Sequence, residues 1–324
     1  MTQDRYGSAD VLALEEIAMP VAGDDEVLIR VRAAGVGPDV WHLMTGLPYL
    51  VRATGIGLRR PKARVPGYDV AGTVEAVGKD VSGFRPGDEV FGTCNGAFAE
   101  YACARTQTLA PKPANLSFEQ AAAVPVSGTT ALRGVRDAGG AQAGQAVLIV
   151  GASGGVGTFA VQLAKMFGAH VTGVCSSTKM ELVRSLGADH VIDYRNEDYL
   201  RNGERYDFIL DVVSVRSPRE YRHALSPTGT YTPIGHSHYD NTRRRILGDM
   251  PYFVWLLLRT LADPQKRKDF NMLKKPEAMA IFRELLESGT LTPIVGKTFS
   301  LDEVPAALQW MREGRTPGRA IITP

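Results

Sequence analysis

Cysteine is scarce in this sequence. Its 324 residues include three, Cys94, Cys103 and Cys175, and no two of them form a CxxC pair. This count argues against a disulfide framework and fits a reducing cytoplasm. An excess of one charge is also lacking, since 37 basic and 35 acidic side chains leave a formal net charge of +2. So small an imbalance gives no reason to expect nucleic acid as a main partner.

Long apolar runs are missing as well. The longest, residues 251–258, is far shorter than the ~20 residues that a membrane-spanning helix needs. The segment MTQDRYGSADVLALEE has no apolar stretch typical of a secretory signal. We therefore expect a soluble, cytoplasmic protein. Its hydrophobic content of 44% is ordinary for a globular protein, and 324 residues suffice for two domains with separate cores.

The most informative segment is a glycine-rich turn at 151–157. A short apolar run at 146–150 precedes it, and apolar residues at helical spacing follow it from Val156 to Phe167. Such glycines allow a tight turn and a close approach of the backbone to a pyrophosphate, while the helix N-terminus offers free N–H groups. A flexible loop is the alternative, which the flanking strand and helix disfavour. We assign dinucleotide binding to Gly151, Ala152, Ser153, Gly154, Gly155, Val156 and Gly157.

The two halves of the chain differ in their patterns. Short alternating runs cut by glycine and proline predict β-rich structure from Glu26 to about Ala104. Ser117 and Gln120 then form a capping-box pattern at the start of a helix. Beyond residue 118, strands at 146–150, 170–175, 207–213 and 230–235 alternate with helices at 155–167 and 178–186, which predicts a doubly wound parallel sheet. Further elements are predicted at 276–288 (helix), 297–301 (strand), 302–313 (helix) and 319–323 (strand).

The end of the second predicted strand indicates which cofactor is bound. An NAD-binding protein usually has an acidic residue there, but this sequence reads Cys175-Ser-Ser-Thr-Lys179. Hydroxyl groups and a lysine suit the 2′-phosphate of NADPH, because they donate hydrogen bonds and supply positive charge. Alternatively, the hydroxyls only cap the next helix and the lysine is a solvated charge. We predict NADPH as the cofactor.

These motifs resemble those of a known family. The segment 144–165 matches the signature of the quinone oxidoreductase/zeta-crystallin branch of the medium-chain dehydrogenase/reductase superfamily, and 66–72, 86–92 and 96–101 are similar to its N-terminal domain. The resemblance implies a mixed α/β fold. A GroES-like β-rich domain at 1–117, completed by 286–324, would accompany a Rossmann domain at 118–285. It also implies a zinc-independent NADPH-dependent reductase of a small quinone or α,β-unsaturated carbonyl, and we expect a homodimer.

The same resemblance assigns further cofactor contacts. Ser176, Lys179 and Tyr194 match residues that surround the 2′-phosphate, and Thr130 matches a threonine beside the nicotinamide ribose. Arg319 matches an arginine that contacts the pyrophosphate in related zinc dehydrogenases. Its alternative is a solvated charge at a strand end. We include Gly235, at the end of the strand 230–235, in the predicted cofactor site.

The ligands of a catalytic zinc ion are absent from the matching segments. Zinc-dependent relatives place a cysteine in the segment that here reads Gly37-Pro-Asp-Val40, and a histidine at the position of Tyr68. His42 with Asp39 and Asp69 would be a poor zinc-binding set, because zinc prefers converging nitrogen and sulfur ligands. We therefore expect no metal.

Without a metal, an acceptor that delocalises incoming charge is easier to reduce than a simple ketone. The family's asparagine and aspartate near this site are replaced here by Gly37 and Val40. Trp41, His42 and Tyr49 are therefore the catalytic candidates, with core packing as the alternative role for the tryptophan. An alcohol or aldehyde dehydrogenase and a non-catalytic NADPH-binding protein stay open as other functions.

A basic and apolar insertion at about 242–275 is the last distinctive feature. It is expected to be a helical lid or a subunit contact. The alternative is peripheral membrane contact through 243–268, with apolar residues among lipid headgroups and basic flanks on anionic lipid.

Overall fold

The computed structural model describes residues 1–235, 275–314 and 317–324. The predicted insertion at 242–275 lies outside these residues except for its last position. The strands are β1 (Glu26–Val36), β2 (Asp69–Val77), β3 (Glu89–Thr93), β4 (Tyr101–Arg105), β5 (Leu109–Pro111), β6 (Ala146–Val150), β7 (His170–Cys175), β8 (His190–Asp193), β9 (Tyr206–Asp211), β10 (Leu225–Pro233), β11 (Val295–Ser300) and β12 (Arg319–Thr323).

The helices confirm several predictions and add others. Ser117 and Gln120 exchange the two hydrogen bonds of the predicted capping box, at 3.0 and 3.2 Å. The helices are α1 (Pro38–Thr45), α2 (Phe118–Ala122), α3 (Pro125–Leu132), α4 (Gly155–Met166), α5 (Met180–Ser185), α6 (Pro218–Tyr221), α7 (Lys275–Glu287) and α8 (Val304–Arg312), with a π-helical turn at Arg133–Ala138 and short 3₁₀ turns at Ala9–Val11, Tyr49–Thr54, Thr106–Thr108, Ser177–Lys179 and Leu301–Glu303. Among the described residues, no helix is long and apolar enough to cross a bilayer.

The first sheet is mostly antiparallel and has strand order β11-β12-β1-β2-β3-β5, with β4 also paired to β1. In β1, Ile29, Val31 and Ala33 are buried while Arg30 and Arg32 are exposed, which is the alternation of a strand with one face on a core. Strands β11 and β12 come from the far end of the chain and join β1 through the pair Gly35↔Ile321. The limits 117/118 and 285/286 of the two domains stay predictions.

The second sheet is wholly parallel, with order β10-β9-β6-β7-β8. Strands β6 and β7 are apolar along almost their whole length because helices cover both faces of such a sheet. From β6 the chain proceeds outward to β7 and β8, and then crosses to β9 on the other side. The carboxyl ends of β6 and β9 therefore form a topological switch point, where ligands bind in doubly wound sheets.

Helix α4, which follows the glycine turn, is fixed by aromatic packing. Phe159 on α4 meets Phe282 on α7 edge to face, with ring centroids 6.3 Å apart, and both side chains are buried. Gly128 on α3 makes room for this contact, because a β-carbon there would stand 2.9 Å from the Phe282 ring. Truncating a buried phenylalanine to alanine costs about 3–5 kcal/mol, so this contact contributes strongly to the packing of α4 on α7.

Candidate active site

A cavity of about 510 Å³ lies at the carboxyl ends of β6, β7 and β9. Val36 and Pro38 of the first sheet and α1 form one side of it, so it opens between the two sheets. Its volume is within the usual range for small-molecule sites. The structure brings onto its wall nine of the predicted cofactor residues, namely Gly151, Ser153, Gly154, Gly155, Val156, Ser176, Lys179, Tyr194 and Arg319.

The glycines of the turn differ in what they permit. Gly151 adopts φ +85°, a left-handed conformation that favours glycine. A β-carbon on Gly157 would stand 2.1 Å from the carbonyl oxygen of Gly151, so this glycine is needed for the turn to pack on the helix. A β-carbon on Gly154 would meet the same oxygen at 3.6 Å, an ordinary contact. Gly157 therefore serves the fold, while Gly154 leaves the open side of the turn accessible.

Arg319 connects the first sheet to this turn. The N–H of Gly318 donates to the carbonyl of Ser153 at 2.8 Å, and Gly318 forms an isolated bridge with Gly154. The Arg319 side chain is only 5% exposed and donates to Asp69, while Asp39 lies 3.5 Å away. Its Nε has no hydrogen-bond partner. The alternative role as a solvated charge is thus wrong, since burial and paired carboxylates hold this arginine inside the protein.

Asp69 is the buried anchor of this arginine. It is fully buried at the start of β2 and accepts a hydrogen bond from the backbone N–H of Val126 at 2.9 Å. Burial raises the pKa of Asp69 to about 7, and the nearby Arg319 opposes this rise. Asp69 thereby joins β2, β12 and the start of α3 at one point.

Gly37 leaves room for the guanidinium of Arg319. A β-carbon on Gly37 would stand 2.4 Å from both terminal nitrogens of the Arg319 guanidinium, and 2.4 Å from the Asp39 carboxylate. The guanidinium therefore occupies the space that an amide side chain at this position would need.

The predicted 2′-phosphate residues lie together on the cavity wall. Ser176 is buried directly after β7, and Tyr194 is about half exposed after β8. The ammonium group of Lys179 donates to the carbonyl of Gly314 at 2.8 Å, and burial lowers its pKa. The lysine is thus half-buried and anchored at the cavity. Whether it binds a phosphate stays a prediction.

The three catalytic candidates lie off the described cavity wall. Trp41 is buried in α1, with the Arg312 guanidinium 5.3 Å from its ring centroid. The Nδ1 atom of His42 lies 2.8 Å from the carbonyl oxygen of Leu47. Tyr49 is 42% exposed and carries the Arg52 guanidinium 4.5 Å from its ring. Their catalytic role stays a prediction.

Besides Gly157, three predicted cofactor residues do not line the described cavity. Ala152 is buried in the turn, and Thr130 is half-buried on α3. Gly235 follows β10, where a β-carbon would stand 2.3 Å from the carbonyl oxygen of Val212. None of the three lines the described cavity, and their contact with a cofactor stays a prediction.

Several wall residues escaped the sequence analysis, among them Tyr199, Arg216, Met311 and Arg312. Arg216 pairs with Glu220 at 3.1 Å and with Asp198 at 3.5 Å. Arg216 follows the carboxyl end of the parallel strand β9, so its position in the β-α alternation could have indicated a residue of the cavity wall. Met311 and Arg312 on α8 reach the cavity only through the tertiary fold, and no local pattern indicates that.

Within the described ranges, no three histidine, cysteine or acidic side chains cluster closely enough to bind a metal ion. Two acidic residues near the cavity, Asp39 and Asp69, face the same guanidinium, that of Arg319. Both carboxylates therefore lie within ion-pair distance of a cation of this chain.

A glycine turn between a parallel strand and a helix, opening on a cavity at the switch point, defines a dinucleotide-binding protein. Comparison with known proteins extends this assignment. Residues 23–114 match the alcohol dehydrogenase GroES-like domain, and residues 186–322 match the zinc-binding dehydrogenase family. The chain belongs to the medium-chain dehydrogenase/reductase superfamily, as its motifs predict.

Individual relatives cover most of the chain. It is 35% identical to the 2-methylene-furan-3-one reductase of Solanum lycopersicum, over 98% of this chain and 77% of the relative. It is 36% identical to the chloroplastic NADPH-dependent alkenal/one oxidoreductase of Arabidopsis thaliana, over 80% of this chain and 70% of the relative. Its structure matches that of the quinone oxidoreductase from Coxiella burnetii with a TM-score of 0.81 and 26% identity, covering 100% and 98% of the two chains.

Proposed function

We propose that this oxidoreductase reduces quinones or α,β-unsaturated carbonyls with NADPH and requires no bound metal. The observation that carries the proposal is the composition of the cavity wall, where the phosphate turn meets Ser176, Lys179 and Tyr194 and no acidic residue follows β7 directly. Relatives named as an alkenal/one oxidoreductase and a 2-methylene-furan-3-one reductase support the acceptor class.

The residues present fit the cofactor. The N-terminus of α4 supplies backbone N–H groups for the diphosphate, and the unpartnered Nε–H of Arg319 lies beside it. Lys179 supplies positive charge for the 2′-phosphate, and Val174 and Val212 give the cavity an apolar wall. Bound NADPH would supply the hydride. The protein would orient both reactants and exclude water from the reacting carbon.

The carboxylates support a reaction without a metal. Asp69 accepts a hydrogen bond from Arg319 in the protein interior, and Asp39 lies within ion-pair distance of the same guanidinium. A metal ion bound by these two residues would have to displace that buried cation. An electron-poor double bond or a quinone can accept hydride without such an ion, because the incoming charge spreads over a conjugated system.

Stopped-flow measurement tests this function. The protein is mixed with NADPH and then with a benzoquinone, an α,β-unsaturated aldehyde, a saturated ketone or a saturated aldehyde. We expect rapid loss of NADPH absorbance with the first two acceptors alone. Reduction of the saturated carbonyls instead would assign an alcohol or aldehyde dehydrogenase. Tight NADPH binding without oxidation by any acceptor would assign a non-catalytic binding protein.

Elemental analysis tests the absence of a metal requirement. We expect less than stoichiometric zinc in the purified protein and unchanged turnover after treatment with a strong chelator. One zinc ion per chain, with activity lost on its removal, would contradict the proposal.

We further propose a cytoplasmic homodimer. The scarcity of cysteine supports the compartment, and the family resemblance supports the assembly. Light scattering coupled to size-exclusion chromatography gives the assembly, and fractionation of the source cells gives the compartment.

A further inference from the structure

Ser127 lies on helix α3 and is fully buried, yet its hydroxyl has no hydrogen-bond partner. A serine within a helix commonly bonds to a backbone carbonyl of the preceding turn. Most buried polar atoms find some partner, because an unsatisfied hydroxyl in the interior costs free energy. The Ser127 hydroxyl is therefore a hydrogen-bond donor without an acceptor in the protein interior, where most donors have one.

Gly155, the first residue of α4, brings this hydroxyl to the phosphate turn. A β-carbon on Gly155 would stand 2.9 Å from Ser127 Oγ and 3.4 Å from Cδ of Arg319. Nε of that arginine is likewise buried and without a partner. Two unpartnered donors, one from α3 and one from β12, thus converge on the N-terminus of a twelve-residue helix.

We propose that the Ser127 hydroxyl donates a hydrogen bond to the diphosphate of the bound dinucleotide, beside the Nε–H of Arg319. Helix N-termini bind phosphate through free N–H groups and the helix dipole, and a hydroxyl donor adds a side-chain contact to these backbone contacts. The inference rests on NADPH as the cofactor, and it names a binding residue outside the glycine motif. The diphosphate is then held by α3, α4 and β12 together.

Replacement by alanine tests this role, because Ser127→Ala removes the hydroxyl alone. A hydrogen bond to a charged group corresponds to about tenfold or more in affinity, so NADPH binding should weaken by at least that factor. Adenosine 2′-monophosphate carries the 2′-phosphate but no diphosphate, and its affinity should not change. Without ligand, the midpoint of thermal unfolding should stay equal or rise, since the variant loses an unsatisfied group.

Thr158→Val is the matched control. The Thr158 hydroxyl is also buried next to the turn, but it donates to the carbonyl of Gly155 at 3.1 Å. This variant should therefore unfold at a lower temperature and keep its affinity for NADPH, the reverse of the result for Ser127→Ala.

Three results would overturn the role of Ser127 alone. They are equal NADPH affinity in Ser127→Ala and the unaltered protein, an equal loss of affinity in both variants, and a lower unfolding midpoint for Ser127→Ala without ligand, which would assign a purely structural hydroxyl. Failure of the unaltered protein to bind NADPH would overturn the proposed function, and this inference with it.

Discussion

The phosphate turn and helix α1 stand on opposite sides of the same cavity and are specified in different ways. In the turn, the predicted contacts to the cofactor come from the main chain. The sequence requirement is the absence of side chains, for packing at Gly157 and, as we propose, for access at Gly154. At α1, any function depends on side chains, and two of the three candidates are engaged in the fold itself, Trp41 in the core and His42 at the helix end. A site made of main-chain groups can be recognised from the spacing of glycines in the sequence. A site made of side chains can be recognised only when the direction of each side chain is known.

Two glycines of the turn give the largest expected effect. In Gly157→Ala, the new methyl group would stand 2.1 Å from the Gly151 carbonyl oxygen, so we expect a loss of more than about 4 kcal/mol in the free energy of unfolding. In Gly154→Ala, the methyl group has room, so stability should change by less than about 1 kcal/mol while NADPH affinity falls, because the methyl group faces the open side of the turn. Chemical denaturation and fluorescence titration measure the two effects. Equal stability losses would contradict the division between fold and binding.

Lys179→Ala extends the comparison to a side chain of the predicted cofactor site. We expect NADPH affinity to fall by about tenfold or more and NADH affinity to stay nearly constant, because only NADPH carries the phosphate. Loss of the hydrogen bond to Gly314 affects both cofactors alike, and the NADH titration corrects for it. An equal loss for the two cofactors would show that the lysine does not bind the 2′-phosphate.

Asp69 gives a smaller effect that depends on pH. Burial raises the pKa of Asp69 to about 7 in the folded protein, against about 4 in an unfolded chain. The native state therefore binds the Asp69 proton more tightly than the unfolded chain does. This proton's contribution to the free energy of unfolding is present near pH 4 and is lost as the pH rises towards 7. The groups that act on this carboxyl are Arg319, Asp39 and the Val126 N–H.

Asp69→Asn cannot titrate at this position and serves as the reference. We expect the unfolding free energy of the unaltered protein, relative to Asp69→Asn, to fall between pH 4 and 7 and to level off above pH 7. Denaturant unfolding at unit steps of pH measures this difference. A constant difference across the range would show that the Asp69 carboxyl has an ordinary pKa.

Tyr49→Phe gives the smallest expected effect and tests the other side of the comparison. Tyr49 lies in the 3₁₀ turn that follows α1, off the described cavity wall, and is the most exposed of the three catalytic candidates, so its hydroxyl is the most accessible of their polar groups. We expect the KM for the acceptor to rise a few-fold while NADPH affinity stays constant. A loss of turnover greater than a hundredfold would instead identify a catalytic hydroxyl. The acceptor site would then depend on the identity of one residue as strictly as the glycine turn does.

Local patterns predicted most of the second sheet. Strand β6, the glycine turn and α4 lie where the sequence placed them, because hydrophobic period and glycine spacing are local properties. Helix α1 was not predicted, since its residues follow a strand and mix aromatic and β-branched types. Pro38 at its first position was the available signal.

The charged centre of the site could not be predicted in the same way. The sequence suggested Arg319 by resemblance, but its partner Asp69 lies 250 residues away along the chain. No periodicity joins two such positions, and they meet because β12 and β2 both pair with the end of β1. The same holds for the Ser127 hydroxyl, which is unusual because it has no partner, a property that a sequence does not carry.

The bond between Gly318 and Ser153 has a consequence for the order in which the protein is made. A nascent chain translated only as far as α4 already contains the complete glycine motif, but it lacks the arginine and the strand that close the site. A cofactor that contacts both the glycine turn and Arg319 would therefore stabilise only chains in which β12 has joined the first sheet. Tight binding would then report completed synthesis and folding, and a ribosome-bound intermediate with the motif alone should bind NADPH weakly.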